Sequence, residues 1–131
     1  MFPAMYDDRP YLATIDQHLE EGVVTVTVTL GLTDTVHVGS ADGVSDPQQR
    51  ARVVGEATLK AVESTLGGGT RFDLTAVGTT DLGPVRIALV QVREEGHGDY
   101  LIGSALIRGG DPVTATAKAV LDALNRRLAR T

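Results

Sequence analysis

The chain has 131 residues, 42% hydrophobic and 22% charged, which is the make-up of one globular domain and excludes a disordered segment or a two-domain chain. It has no cysteine, so disulfides, thiolate nucleophiles and Cys-based zinc sites are excluded. Residues 1–65 carry four basic and ten acidic side chains and residues 66–131 eight and seven, a balance that excludes a general nucleic-acid surface. With 4% aromatics and no Trp, base stacking is also poorly served and the core must be aliphatic.

Residues 1–10 contain two prolines and three charges and are expected to be an irregular lead-in, with Asp7, Asp8 and Arg9 in solvent. They lack a basic n-region and a long apolar h-region, and no run reaches the roughly 18 apolar residues that a span requires. The expectation is therefore a cytoplasmic protein without a membrane partner. Tyr11 to Glu20 fits two periods: Leu12, Ile15 and Leu19 make a helical stripe, whereas Ala13, Ile15, Gln17 and Leu19 alternate as a strand. Val23 to Leu30 alternates valine with threonine and reads as a half-buried strand. Gly31 to Asp34 reads as a turn, Thr35 to Ala41 as a short strand, and Asp42 to Ser45 as a break.

Asp46-Pro47 predicts a helix start, with Asp as N-cap, Pro in the first helical position and Gln49 placed for a capping box. That helix should run to about Leu66, with Gly55, Leu59, Val62 and Leu66 on one face and Gly67 to Gly69 ending it. A glycine inside a helix costs on the order of 1 kcal/mol, so Gly55 implies a close approach by a neighbouring strand. Three more strands are expected at about Thr70 to Thr80, Pro84 to Arg93 and Asp99 to Arg108. The middle one is apolar on both faces, the pattern of a central strand covered on two sides. A last helix begins near Asp111-Pro112 and should bury Val113, Ala117, Val120, Leu121, Leu124 and Leu128. Lys118, Asp122 and Arg126 fall on its wet side, and Arg126, Arg127 and Arg130 suit its C-terminus.

The two halves superpose as sequence. Val38-Gly39-Ser40-Ala41 matches Ile102-Gly103-Ser104-Ala105, Asp46-Pro47 matches Asp111-Pro112, and Ala57 to Val62 with Leu66 matches Ala119 to Leu124 with Leu128. Each unit then reads strand, strand, strand, helix, which favours the strand for Tyr11 to Glu20. The expected fold is α+β: one domain over 11–131, built from two βββα units (11–67 and 68–131) related by an internal pseudo-twofold, with antiparallel sheets packed on two helices. Sheet surface left over would suit a homodimer.

A duplicated βββα unit ending in Ala117-Lys118-Ala119, then Ala123-Leu124-Asn125-Arg126, resembles the C-terminal regulatory domain of α-isopropylmalate synthase and citramalate synthase. The resemblance covers most of 11–130. It implies a domain that associates in pairs and binds an amino-acid end product near the dimer interface, beside glycine-rich strand-to-helix turns. Here the matching turns are Gly39-Ser40-Ala41-Asp42-Gly43 and Gly103-Ser104-Ala105, and the expectation is a stand-alone domain without the catalytic barrel. Where the family has Gly-Pro-Val-Asp-Ala at the first helix start, this chain has Val44-Ser45-Asp46-Pro47-Gln48.

Gly39 and Gly43 admit two readings: backbone N–H groups open to a ligand carboxylate near a helix start, or a tight turn in a crowded interface. The candidate ligand-binding residues are thus Gly39, Ser40, Ala41, Asp42, Gly43, Gly103 and Ser104. His18, His37 and His97 share no metal-ligand spacing, so neither a metal nor a cofactor is expected. Ser40 and Ser104 lack a nucleophile elbow, and GGGT at 67–70 lacks the Lys-Ser/Thr of a phosphate loop. Arg86 and Arg93 are candidate anion-neutralising cations or plain strand-end charges. The leading expectation is a stand-alone, non-catalytic regulatory or interaction domain that homodimerises and binds a small metabolite. The alternatives are a small biosynthetic or tailoring enzyme using His37 and Asp42 as acid and base, and a purely structural dimerisation module.

Overall fold

Alternation in the sequence becomes two three-stranded meanders. In the computed structural model, residues 9–128 are described, with the backbone alone for 126–128. The expectations placed on Asp7, Asp8 and Arg130, and on the side chains of Arg126, Arg127 and Leu128, lie outside them. The order is β1 (Tyr11–Glu20), β2 (Val23–Leu32), β3 (Thr35–Val44), α1 (Pro47–Thr65), β4 (Phe72–Leu82), β5 (Val85–Glu94), β6 (Tyr100–Leu106) and α2 (Pro112–Leu128). Strands β1-β2-β3 form one antiparallel sheet and β4-β5-β6 the other. Tyr11 to Glu20 is therefore strand, as the repeat requires.

In the first sheet Val24, Val26, Val28 and Leu30 are fully buried beneath α1, while Thr25, Thr27 and Thr29 point outward. In the second, Ala88, Val90 and Val92 take the same role beneath α2. Helix α1 packs on β2 and β3, then against α2 and β4; α2 packs on β5 and β6 and reaches β1. These reciprocal contacts place both helices between the two sheets, as a pseudo-twofold demands. Burial on α1 is accordingly wider than the single stripe read from the sequence, taking in Val53, Val54, Ala57, Thr58 and Ala61 as well as Leu59 and Val62.

The duplication reaches features that sequence matching missed. Both first strands slip register at matching places, between Leu12 and Thr14 in β1 and between Leu74 and Ala76 in β4. Such a bulge at a sheet edge bends the strand and blunts it against pairing with another chain. Both helices are capped alike: the Asp46 carboxylate accepts from Gln48 N at 2.8 Å, and the Asp111 carboxylate from Val113 N at 2.9 Å. Gly55 does mark a close approach, since a Cβ there would sit 2.7 Å from Leu74 Cδ2 of β4, in the other unit.

Three expectations are corrected. The break at Asp42 to Ser45 is absent, because β3 keeps its pairing with β2 as far as Val44 opposite Val23. Asp122, expected in water, is half-buried and accepts the Ser104 N–H at 3.0 Å, tying α2 to β6. Strand β5 is central in its sheet, but only its helix face is covered within the chain; Val85 is exposed, and Ile87 and Leu89 are half-buried on the outer face.

Candidate functional site

The glycines of the expected ligand turns lie in mid-strand, and Gly39 and Gly103 are seated on helix backbone. A Cβ on Gly39 would collide with Ala57 O and Ala61 N of α1, and one on Gly103 with Ala119 O and Ala123 N of α2. The two seats are equivalent positions of the repeat, so each unit uses one glycine to let its third strand touch its helix. Gly43 is close to α1 in the same way, a Cβ there meeting Val53 Cγ2 at 2.7 Å. Ser40 and Asp42 point from β3 to the outer face, where Ser40 Oγ bonds Thr27 Oγ1 at 2.9 Å, and Ala41 packs against the core. Ser104 is on the outer face of β6. The structure thus distributes these residues between a packed helix face and an open sheet face, where the sequence had suggested a glycine-rich turn.

His37 lies on the helix side of β3. One ring nitrogen is 3.1 Å from Ser64 Oγ at the end of α1 and the other 3.0 Å from Thr35 Oγ1. Asp42, five residues along the same strand, points to the opposite face, so strand alternation separates the acid and base that a hydrolytic or tailoring site would pair. Among the described residues no group of three or more His, Asp or Glu is placed to hold a metal ion, and no helix is long and apolar enough to cross a membrane.

A cleft of about 660 Å³ opens where the two units meet, at the N-terminal ends of both helices. Pro47 and Ala51 from α1, Pro112 from α2, Val77 from β4 and Ile107 after β6 give it apolar walls; Gln48 and Thr79 add polar groups. Its one cation is Arg86, at the start of β5, whose guanidinium is 3.7 Å from the Asp81 carboxylate across the β4-β5 pair. That ion pair is well exposed and adds little to stability. Arg86 is therefore available to a ligand anion, with an acidic partner beside it. Arg93, the other cation singled out from the sequence, is on the opposite face of β5, over the Tyr100 ring at 5.9 Å. None of the candidate residues at 39–43, 103 and 104 lines the cleft. Its position follows from the matched Asp-Pro helix starts, whose meeting at one end of the pseudo-twofold is a tertiary fact absent from either copy alone.

No protein-family model matches the chain, and no curated protein matches it.

Proposed function

We propose that the chain is a non-catalytic regulatory or interaction domain that self-associates and takes a small amino-acid-like metabolite at the junction of its two units. The cleft between the helix starts carries this reading. It is within the ordinary volume range of small-molecule sites, has apolar walls for a short aliphatic side chain, and holds one cation in its lining, Arg86, whose partner Asp81 lies beside the cleft. A ligand carboxylate would meet Arg86, and a ligand ammonium would reach past it toward Asp81 beside the cleft; the helix N-termini do not add to this, being already capped by the Asp46 and Asp111 carboxylates.

The test is a thermal-shift screen of branched-chain amino acids and the matching 2-oxo and 2-hydroxy acids, on the wild type and Arg86→Ala. A ligand at about a hundred times its Kd adds about 2.7 kcal/mol, a rise of several degrees for a domain of this size. The rise should vanish in Arg86→Ala. A melting temperature unmoved by every compound, with the protein still self-associated, leaves the purely structural reading, which the exposed apolar residues of the sheet faces favour.

A further inference from the structure

The two units are alike in fold but not in what they show to solvent. The outer face of the first sheet carries Thr25, Thr27 and Thr29 along the middle of its central strand, with Asp16, Glu20 and Asp42 on the flanking strands, His18 beside Glu20 and no Lys or Arg; its exposed valines, Val23, Val36, Val38 and Val44, are at the end of that strand and on the edge strand β3. The equivalent face of the second sheet carries Val85, Ile87 and Leu89 on its central strand, flanked by Leu82, Ile102 and Leu106. Leu82, Ile102 and Leu106 are 70, 49 and 48% exposed. A strand apolar on both faces belongs in a sheet covered on both sides, and the chain covers β5 on one side only.

We propose that this second face is covered by the same face of a second copy, sheet on sheet, so that β4-β5-β6 is the dimer surface and β1-β2-β3 remains wet. The proposal rests on the self-association read above and adds which surface performs it. Charge selects the occupant. Pairing the first face with itself would gather six carboxylates, three from each copy, without a Lys or Arg, a repulsive arrangement. The second face has one acid and one base, Asp73 and Arg93, directly opposite each other at one end, and is otherwise uncharged from there to the Leu82–Val85 turn. It therefore has no net charge to repel its own copy. Its size is also adequate: three strands of this length cover roughly 450 Å² in projection, and side-chain relief brings that toward the ~800 Å² per partner of a standard interface. Twofold sheet packing is closed, so assembly stops at two.

The experiment is sedimentation velocity on the full chain over about 1–100 µM, a range that brackets the micromolar affinities of modest interfaces, for the wild type, Ile102→Glu, Leu106→Glu and Val38→Glu. All three substituted side chains are in solvent in the single chain, and circular dichroism confirms that each variant is folded. The wild type should be a dimer. Ile102→Glu and Leu106→Glu should weaken it at least ~100-fold, since each buries an unpaired carboxylate twice over, and Val38→Glu on the first sheet should leave it unchanged. A wild type that stays monomeric overturns the self-association reading and this one together. A dimer lost in Val38→Glu but kept in the other two overturns only the assignment of the face. A folded monomer that associates through Ile102 and Leu106 only with a different protein likewise refutes the second copy as occupant.

Discussion

Adding one methyl group at Gly103 should cost far more than adding it elsewhere on the same sheet. In Gly103→Ala the new Cβ would overlap Ala119 O and Ala123 N and lie 2.8 Å from Ala123 Cβ. Two of those three atoms are backbone inside a hydrogen-bonded helix, so no side-chain rotation relieves the clash. The strand must lift from α2 by about 1 Å, and a gap of that size forfeits a quarter to a half of each dispersion contact along the seam. Overpacking of this kind costs about 3 kcal/mol, out of the ~5–15 kcal/mol that holds a domain together. Gly39→Ala should behave alike through Ala57 and Ala61. Two controls share the chemistry without the seat. At Gly78 on β4 nothing lies within 4 Å, and Gly55→Ala meets only the movable end of Leu74 while gaining about 1 kcal/mol of helix propensity. Urea unfolding at one fixed protein concentration measures all four, with the m-value checked for constancy. If Gly103→Ala and Gly39→Ala unfold within ~0.5 kcal/mol of wild type, the range of an ordinary surface change, the helix seats are wrong.

Removing the caps by Asp46→Ala or Asp111→Ala should cost about 1 kcal/mol each, read as a shift in the urea midpoint; an unchanged midpoint would show that water replaces the carboxylate without loss. Asp122→Ala should lose about 1 kcal/mol through the bond to Ser104 N and speed hydrogen exchange at that amide, whereas Lys118→Ala on the exposed side of the same helix should do neither.

Much of the architecture was legible because each unit repeats a period-two pattern followed by an Asp-Pro start and a period-3.6 pattern. The uncertain first strand was settled by its partner copy, since Tyr11 to Glu20 alone fits both periods. Three things were not legible. The extension of β3 through Asp42 and Gly43 defeats propensity, because both residues are poor strand formers and are held there by pairing with β2. The glycine-rich stretches looked like ligand turns because a glycine that admits a helix and one that admits a ligand leave the same mark in a sequence. The cleft was hidden because its walls come from segments as distant as Pro47, Val77 and Pro112, each ordinary in its own element. Arg86 was singled out in the sequence as a candidate anion-neutralising cation, but nothing there tied it to the two helix starts.

The bond from Ser104 N to Asp122 also makes the two halves unequal as templates for misassembly. At the free edge of β6 one main-chain donor is already held by a carboxylate of the helix beneath. The matching helical position in the first unit is Lys60, whose ammonium has donors and no acceptor, so it cannot hold an amide of β3. An incoming extended chain finds on β3 an amide N–H free to donate to its carbonyl, where β6 presents one already bonded. Under partial unfolding, strand addition should start from the first unit, and an acidic residue in place of Lys60 would close that edge as Asp122 closes the other.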